Sequence, residues 1–313
     1  MDRRQFIELA GTGIAAVALQ ACGGGGGVKP PMPPPPGPPV PPPQIEGMMP
    51  SVKYLGAWSY EVQGNLDFGK VADALKYGNC VTVKQRDFQL GYLPALDALA
   101  ASREAYLWGI AQGGAADFEK DVQFLLALQA TGRSAGAFIG IDEPDLDPAY
   151  DPVALDSLYR AFRARGISLP LFVNLALAVG LGPVGSELVL ARGLPQSVGI
   201  GVEAYHLTAD RWRLTMAPAV LDVLRLSAPG QPLALIPGLW QAPGQPVPTE
   251  EMAWAPFKSW STDLAFAPWR NQVLAVIAYR WSTDRAAGDC LVGIEGLEGP
   301  KTALLKFKEV NGL

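Results

Sequence analysis

Short apolar runs alternate with amphipathic stretches from residue 50 onward, and no other feature of the sequence constrains the fold as strongly. The runs have the length of buried strands. The stretches between them are apolar at positions i, i+3 and i+4, as in helices that cover a sheet. The eight runs lie at residues 54–58, 80–85, 106–112, 137–142, 171–174, 199–205, 233–240 and 274–281. Eight such units in about 265 residues predict a (β/α)8 TIM barrel, with an open, doubly wound sheet as the alternative.

The first 22 residues resemble a bacterial export signal rather than part of the barrel. Arg3 and Arg4 precede a short run rich in glycine and alanine, as in twin-arginine signals, and residues 19–22 read Leu-Gln-Ala-Cys, which resembles a lipobox. The run is shorter than the about 20 residues that a membrane span needs, and Glu8 lies near its start. The resemblance implies an exported lipoprotein in which Cys22 carries the lipid.

Residues 23–46 consist mainly of glycine followed by proline. Glycine gives a flexible root, and the prolines favour an extended polyproline II rod of about 3.1 Å per residue. We interpret this segment as a tether between the lipid anchor and a single barrel domain over residues 47–313. Gly23, rather than Asp, follows Cys22, which resembles the pattern of lipoproteins sorted to the outer membrane. The predicted location is the periplasmic face or the outer membrane.

The residue counts argue against several kinds of site. The chain has one histidine, His206, and three cysteines without a Cys-x-x-Cys pair, so we expect neither a metal site nor another bound cofactor. Its net charge is -5 and 18% of its residues are charged, so it lacks the basic stripe that nucleic acid requires. We therefore expect a neutral ligand and a monomeric chain. Cys80 and Cys290 could form a disulfide or remain buried thiols.

Aromatic and polar side chains collect at the carboxyl end of each predicted strand. In a barrel these ends converge on one face, where the βα loops build the site. Flat aromatic faces stack on the apolar faces of sugar rings, and amide or charged groups bind the hydroxyls, so the set predicts a carbohydrate site. The alternative is that some of the rings only cap the barrel core. The predicted substrate-binding residues are Trp58, Tyr60, Lys84, Gln85, Gln112, Asn174, Tyr205, His206, Trp240, Gln241, Tyr279, Arg280 and Trp281.

Residues 140–145, at the end of the fourth predicted strand, read Gly-Ile-Asp-Glu-Pro-Asp. This motif resembles the glycoside hydrolase (β/α)8 superfamily, in which many members end strand four with Asn-Glu-Pro and use the Glu as general acid/base. The resemblance implies that Glu143 is the proton donor and that Asp142 contacts a sugar hydroxyl. Two adjacent carboxylates also repel each other, which favours the protonated form that a general acid needs. The alternative is a helix cap at Asp145 or Asp147, with Asp142 and Glu143 hydrogen-bonded in the loop.

Hydrolysis requires a second carboxylate across the scissile bond. Family members with the Asn-Glu-Pro pattern carry it at the end of strand seven, where this chain reads LALIPGLWQ and has no acid. Glu203, at the end of the sixth predicted strand, is the nearest substitute, and we predict that it acts as nucleophile or base. Glu61 and Asp284 are weaker candidates. The missing acid keeps a second interpretation open, a non-catalytic carbohydrate-binding lipoprotein.

Two further segments have more than one interpretation. Residues 180–185 read Gly-Leu-Gly-Pro-Val-Gly between an apolar run and a helical one, with Glu203 further along, which is typical of a dinucleotide-binding unit. A dinucleotide-dependent oxidoreductase is therefore a lesser alternative. The segment before the eighth strand contains Trp254, Trp260 and Trp269 and is interpreted either as a lid or substrate platform, or as an outer helix packed on the barrel.

Overall fold

Eight parallel strands close into a barrel in the computed structural model. In chain order they are β1 Tyr54–Ala57, β2 Cys80–Lys84, β3 Tyr106–Ile110, β4 Ser134–Phe138, β5 Leu171–Leu175, β6 Gly199–Ala204, β7 Leu233–Pro237 and β8 Val273–Ala278. Each strand pairs with the next along the chain, and β8 pairs with β1 to complete the ring. The predicted TIM barrel is confirmed, and the doubly wound sheet is excluded because the strands form a closed ring.

The structure describes residues 44–58, 60–62, 65–111, 117–140, 150–177, 186–205, 212–241, 244–283 and 292–313. The compact unit that contains the barrel begins at Ile45. The predicted export signal, Cys22 and nearly all of the predicted tether lie outside the described residues. Within the described ranges, no helix has the length and apolar character that crossing a membrane requires.

Helices alternate with the strands and cover the outside of the barrel. They are α1 Phe68–Ala74, α2 Gln85–Gln89, α3 Leu93–Ser102, α4 Phe118–Ala130, α5 Pro152–Ala164, α6 Ser186–Gly193, α7 Ala217–Leu226, α8 Glu250–Thr262 and α9 Glu298–Asn311. Side-chain caps set several of the starting points: the Asp67 carboxylate accepts hydrogen bonds from the amides of Gly69 and Lys70 at the start of α1. A short hairpin, Glu61–Val62 with Asn65–Leu66, lies between β1 and α1.

Aromatic rings fill the interior of the barrel. Trp108 on β3 lies 5.2 Å from Phe138 on β4 and 5.0 Å from Phe172 on β5, measured between ring centroids. Trp58, which follows β1, stacks on Phe138 at 5.3 Å. Strand β6 makes room for these rings with glycine, because a Cβ atom at Gly199 would lie 2.2 Å from the Phe172 ring. An interior packed in this way is a core rather than a channel, so a ligand site has to lie at one end.

Residues 45–52, which we call the N-terminal strap, pack against the last two long helices. Asn311 at the end of α9 accepts a hydrogen bond from the Met49 amide at 2.8 Å and donates one to the Gly47 carbonyl at 2.9 Å. The Gly47 amide donates to Ser261 Oγ of α8 at 2.7 Å. The φ angle of Gly47 is +84°, in the left-handed region that favours glycine. The strap therefore joins the start of the barrel domain to its end.

The tryptophan-rich segment between β7 and β8 forms the outer helix α8. The Thr249 side chain caps this helix by accepting a hydrogen bond from the Met252 amide at 3.2 Å. Trp254 and Trp260 are 5% and 1% exposed, and Trp269 packs partly buried against the same core. These contacts favour the outer helix over the lid or substrate platform, because the rings are used to pack α8 onto the barrel.

Candidate functional site

The carboxyl ends of the strands form the mouth of the barrel, where we expected the ligand site. Successive residues of a strand point to opposite faces, so every second residue points toward the barrel axis. Ile236 of β7 and Ile277 of β8 belong to the interior cluster of side chains. Gly238 and Tyr279 are therefore the next inward positions, and they lie just beyond the two strands, at the mouth.

A carboxylate and an amide meet at the mouth between β5 and β6. Asn174 Nδ2 donates a hydrogen bond to Glu203 Oε1. Both residues are 2% exposed. Gly201 lies beside them on β6, and a Cβ atom there would be 3.3 Å from Asn174 Oδ1. Burial of a carboxylate is costly without a donor, so an amide in this position stabilises the ionised form.

Four aromatic side chains, Trp58, Tyr205, Trp240 and Tyr279, form one continuous surface that we call the aromatic wall. The rings of Tyr205 and Tyr279 stack with centroids 5.4 Å apart and planes at 30°. Trp240 meets these two rings edge-on at 6.4 Å and 6.5 Å, and Trp58 meets Tyr279 at 6.4 Å. Tyr205, Trp240 and Tyr279 are partly exposed, whereas Trp58 is 5% exposed. The wall thus offers three rings to a ligand, with Trp58 packed behind them.

Gly238, the first residue after β7, has no room for a side chain. A Cβ atom at Gly238 would lie 2.7 Å from Cδ1 of Tyr205, closer than non-bonded carbon atoms approach. The backbone of Gly238 pairs with that of Tyr279, and the Leu239 amide donates to the Tyr279 carbonyl at 2.7 Å. Tyr205 therefore fills the space that a side chain on β7 would need.

Three of the predicted binding residues lie at the mouth or its rim and are partly exposed. Lys84 ends β2, and its backbone amide donates to Asp87 at 3.0 Å. Arg280 Nε donates to the Ser282 carbonyl at 2.9 Å. Gln241 follows the end of β7 and exchanges two backbone hydrogen bonds with residue 292, while its side-chain Nε2 donates to the Gln245 carbonyl.

Three other predicted binding residues are buried. Tyr60 is 2%, Gln85 3% and Trp281 0% exposed. Trp281 packs against Tyr77, with ring centroids 5.6 Å apart. Burial also raises the pKa of the Tyr60 hydroxyl above its ordinary value.

Several of the predicted residues cannot be placed. Those outside the described residues are Gln112, Asp142, Glu143 and His206, together with Asp284, Cys290 and residues 180–185. The fold disfavours the dinucleotide-binding interpretation of the glycine motif. That motif is typical of an open, doubly wound sheet, and the sheet of this protein is a closed barrel. Its acid, Glu203, is bonded to Asn174 inside the mouth.

The thiol of Cys80 is free and fully buried in the barrel. Burial raises its pKa well above that of an ordinary cysteine. The thiol therefore stays protonated near neutral pH and is a packing group, not a nucleophile. Among the described residues, no group of three or more His, Cys, Asp or Glu side chains could hold a metal ion.

Comparison with known proteins identifies the fold alone. No protein-family model matches the chain, and no curated protein matches it significantly. Among solved structures, XacCel5A in complex with cellopentaose superposes with a TM-score of 0.54 at 13% identity, covering 82% of this chain and 99% of that one. TsXylA, an intracellular xylanase from Thermoanaerobacterium saccharolyticum solved with xylotetraose, gives 0.53 at 9% identity and covers 84% and 98%.

A third similar structure shows how little the fold says about the reaction. D-psicose 3-epimerase, solved in the presence of D-fructose, superposes with a TM-score of 0.52 at 11% identity, covering 83% of this chain and 100% of that one. A xylanase and an epimerase therefore resemble this barrel equally well. At such identities, the similarity supports the TIM-barrel fold, and the chemistry has to be argued from the site.

Proposed function

We propose that this chain is a glycoside hydrolase-like barrel that acts on an oligo- or polysaccharide. One observation carries the proposal: the aromatic wall and the buried pair Asn174–Glu203 share the same mouth. A sugar ring has apolar faces and a rim of hydroxyls, so it needs flat rings on one side and hydrogen-bonding groups on the other. The structures with cellopentaose and xylotetraose show that barrels of this shape bind such ligands.

In the proposed reaction Glu143 donates a proton to the leaving oxygen and Glu203 acts as nucleophile or base. An ionised carboxylate is required for either role of Glu203, and the Asn174 amide stabilises that form. Asp142 binds a sugar hydroxyl and favours the protonated form of Glu143. A carboxylate separation of about 5 Å would give retention of configuration, and about 6.5–9.5 Å would leave room for a water molecule and give inversion.

Glutamine variants test this assignment directly. We expect Glu143→Gln and Glu203→Gln each to lower turnover of cellopentaose or xylotetraose by about 1,000-fold or more, because either variant lacks one of the two catalytic carboxylates. Binding of the sugar, measured by calorimetry, should persist in both variants. Glu251→Gln, at an exposed position on α8, is the matched control and should leave turnover unchanged. Full turnover in either catalytic variant would contradict the assignment.

A second function, carbohydrate binding without catalysis, is favoured by the burial of Glu203. The carboxylate is 2% exposed, which leaves little surface for attack on a substrate, and the sequence of β7 and the residues after it, LALIPGLWQ, supplies no second acid. In this case the wild-type chain would bind glycan without releasing product. The same calorimetric and product assays therefore separate the two functions.

The export signal supports a proposed location as well as a proposed function. Residues 1–22 resemble twin-arginine and lipobox patterns, and we propose on this basis that the chain lies at the periplasmic face or the outer membrane, held by a lipid on Cys22. The barrel would then act as a monomer on glycans of the cell envelope or its surroundings. Fractionation of a Cys22→Ser variant tests this location.

A further inference from the structure

The partly exposed ring of Tyr279 and the side chain of Arg280 belong to the segment that follows β8, and the backbone of that segment is held from both sides. The Tyr279 amide donates to the Pro237 carbonyl at 2.9 Å, and the Trp281 amide donates to the Trp58 carbonyl at 2.8 Å. These bonds extend the sheet pairing of β8 with β7 and with β1 beyond the end of the strand. These two bonds position the start of the segment after β8. The path of the backbone beyond it depends on further contacts.

The turn is fixed by the 3-10 helix Ile294–Gly296, which docks on the same segment. The Ile294 amide donates to the Arg280 carbonyl at 3.0 Å, and the Glu295 amide donates to the Trp281 carbonyl at 3.1 Å. The Glu295 carboxylate then turns back and accepts a hydrogen bond from the Thr283 amide at 2.8 Å. Glu295 thus contacts the segment after β8 through both its backbone and its side chain.

Lys70 of α1 completes the arrangement. Its Nζ lies 2.6 Å from each oxygen of the Glu295 carboxylate. The two side chains are 21% and 20% exposed, so solvent screens this ion pair much less than an ordinary surface pair. Helix α1 follows β1, and Glu295 contacts the segment after β8. The ion pair Lys70–Glu295 therefore connects the regions after the first and last strands, which pair with each other to close the barrel.

We propose that Glu295, held by Lys70, is a positioning residue that sets the orientation of Tyr279 and Arg280 for ligand binding. The inference rests on the proposed carbohydrate function of the mouth. Tyr279 is the central ring of the aromatic wall, since it contacts Trp58, Tyr205 and Trp240. A shift of the segment after β8 would therefore disturb the whole wall, although Glu295 itself does not belong to it.

Two single variants remove the ion pair from opposite sides. Glu295→Gln keeps an acceptor for the Thr283 amide but removes the charge that faces Lys70, and Lys70→Met removes the cation. Either variant should weaken binding of cellopentaose or xylotetraose roughly tenfold, and the double variant should be little worse than either one. Lys70→Arg, which keeps the charge, should restore binding. Asp73→Asn breaks the exposed pair Lys76–Asp73 of the same helix region and is the matched control.

A fluorine signal measures the wall without any sugar. In the full chain labelled with 5-fluorotryptophan, the resonance of Trp240, assigned with a Trp240→Phe variant, reports the nearby Tyr279 ring. We expect the chemical shift of Trp240 to change in Glu295→Gln and in Lys70→Met and to remain unchanged in Asp73→Asn. The chemical shift of Trp254 should remain unchanged in all three variants. Unchanged Trp240 resonances in both ion-pair variants would overturn the proposal, even if their unfolding temperatures fell. If the resonance shifts but neither wild type nor variants bind the sugars, the positioning role stands and the carbohydrate function fails.

Discussion

Gly238 shows how one residue decides what the mouth can contain. Its missing side chain admits the Tyr205 ring, and this ring in turn stacks on Tyr279. The sequence LALIPGLWQ revealed that an acid is absent from the end of β7 but not what replaces it. The replacement depends on a contact between two strands, and a pattern within one strand carries no information about such a contact.

We expect Gly238→Ala to lower the free energy of unfolding by about 1–3 kcal/mol, because its methyl group would overlap the Tyr205 ring. Urea unfolding measures this change. In a Tyr205→Ala background the ring is absent, and the Cα and Cβ atoms of residue 205 lie 3.2 Å from the new methyl group. Gly238→Ala should therefore lower the free energy of unfolding much less in this background. Equal costs in both backgrounds would show that Tyr205 is not what requires glycine at this position.

At the scale of elements, the sequence predicted the eight strands because each one is a short apolar run between helical patterns. The boundaries were less accurate: the fourth strand was expected at residues 137–142 and is Ser134–Phe138, since its sequence SAGAF contains small residues that give a weak apolar signal. Tyr60 and Trp281 were assigned to the mouth because they lie at or just after the carboxyl ends of predicted strands. Each follows its strand by three residues, where alternation no longer determines the direction of a side chain.

The N-terminal strap gives a prediction about pH at the same scale. The Trp254 indole donates a hydrogen bond to the Glu46 carboxylate, and this bond, with a smaller contribution from Lys258, lowers the pKa of Glu46 below 4.5. A lowered pKa in the folded state means that ionised Glu46 stabilises the fold above about pH 4.5 and that this stabilisation is lost as the pH falls through the lowered value.

We therefore expect Glu46→Gln to lower the free energy of unfolding at pH 7 by less than about 1 kcal/mol, since the carboxylate is 41% exposed and partly screened. The difference from wild type should shrink as the pH falls through the lowered pKa of Glu46. Urea unfolding at pH 7 and at a series of acidic pH values provides the measurement. A difference for Glu46→Gln that grows in acid would contradict the role of the carboxylate.

On the scale of the whole molecule, the barrel sequence encodes a folded core, whereas the sequence before it resembles a signal and a tether. The barrel domain buries a continuous core, and the compact unit begins at Ile45, where the strap meets α8 and α9. The sequence before it combines signal-like residues with a run of glycine and proline. Location and folding should therefore depend on different parts of the chain.

A Cys22→Ser variant tests this separation. If Cys22 carries the lipid, the wild-type chain fractionates with membranes and the variant becomes soluble in the periplasm, because lipid chains supply the attachment. The free energy of unfolding of the barrel domain should be the same in the variant as in wild type, since Cys22 precedes the compact unit that begins at Ile45. Cys80→Ser is the complementary control: it places a hydroxyl at a fully buried thiol position, so it should destabilise the barrel and leave membrane attachment intact. Membrane attachment of Cys22→Ser equal to that of wild type would show that the chain is held by something other than a lipid on this cysteine.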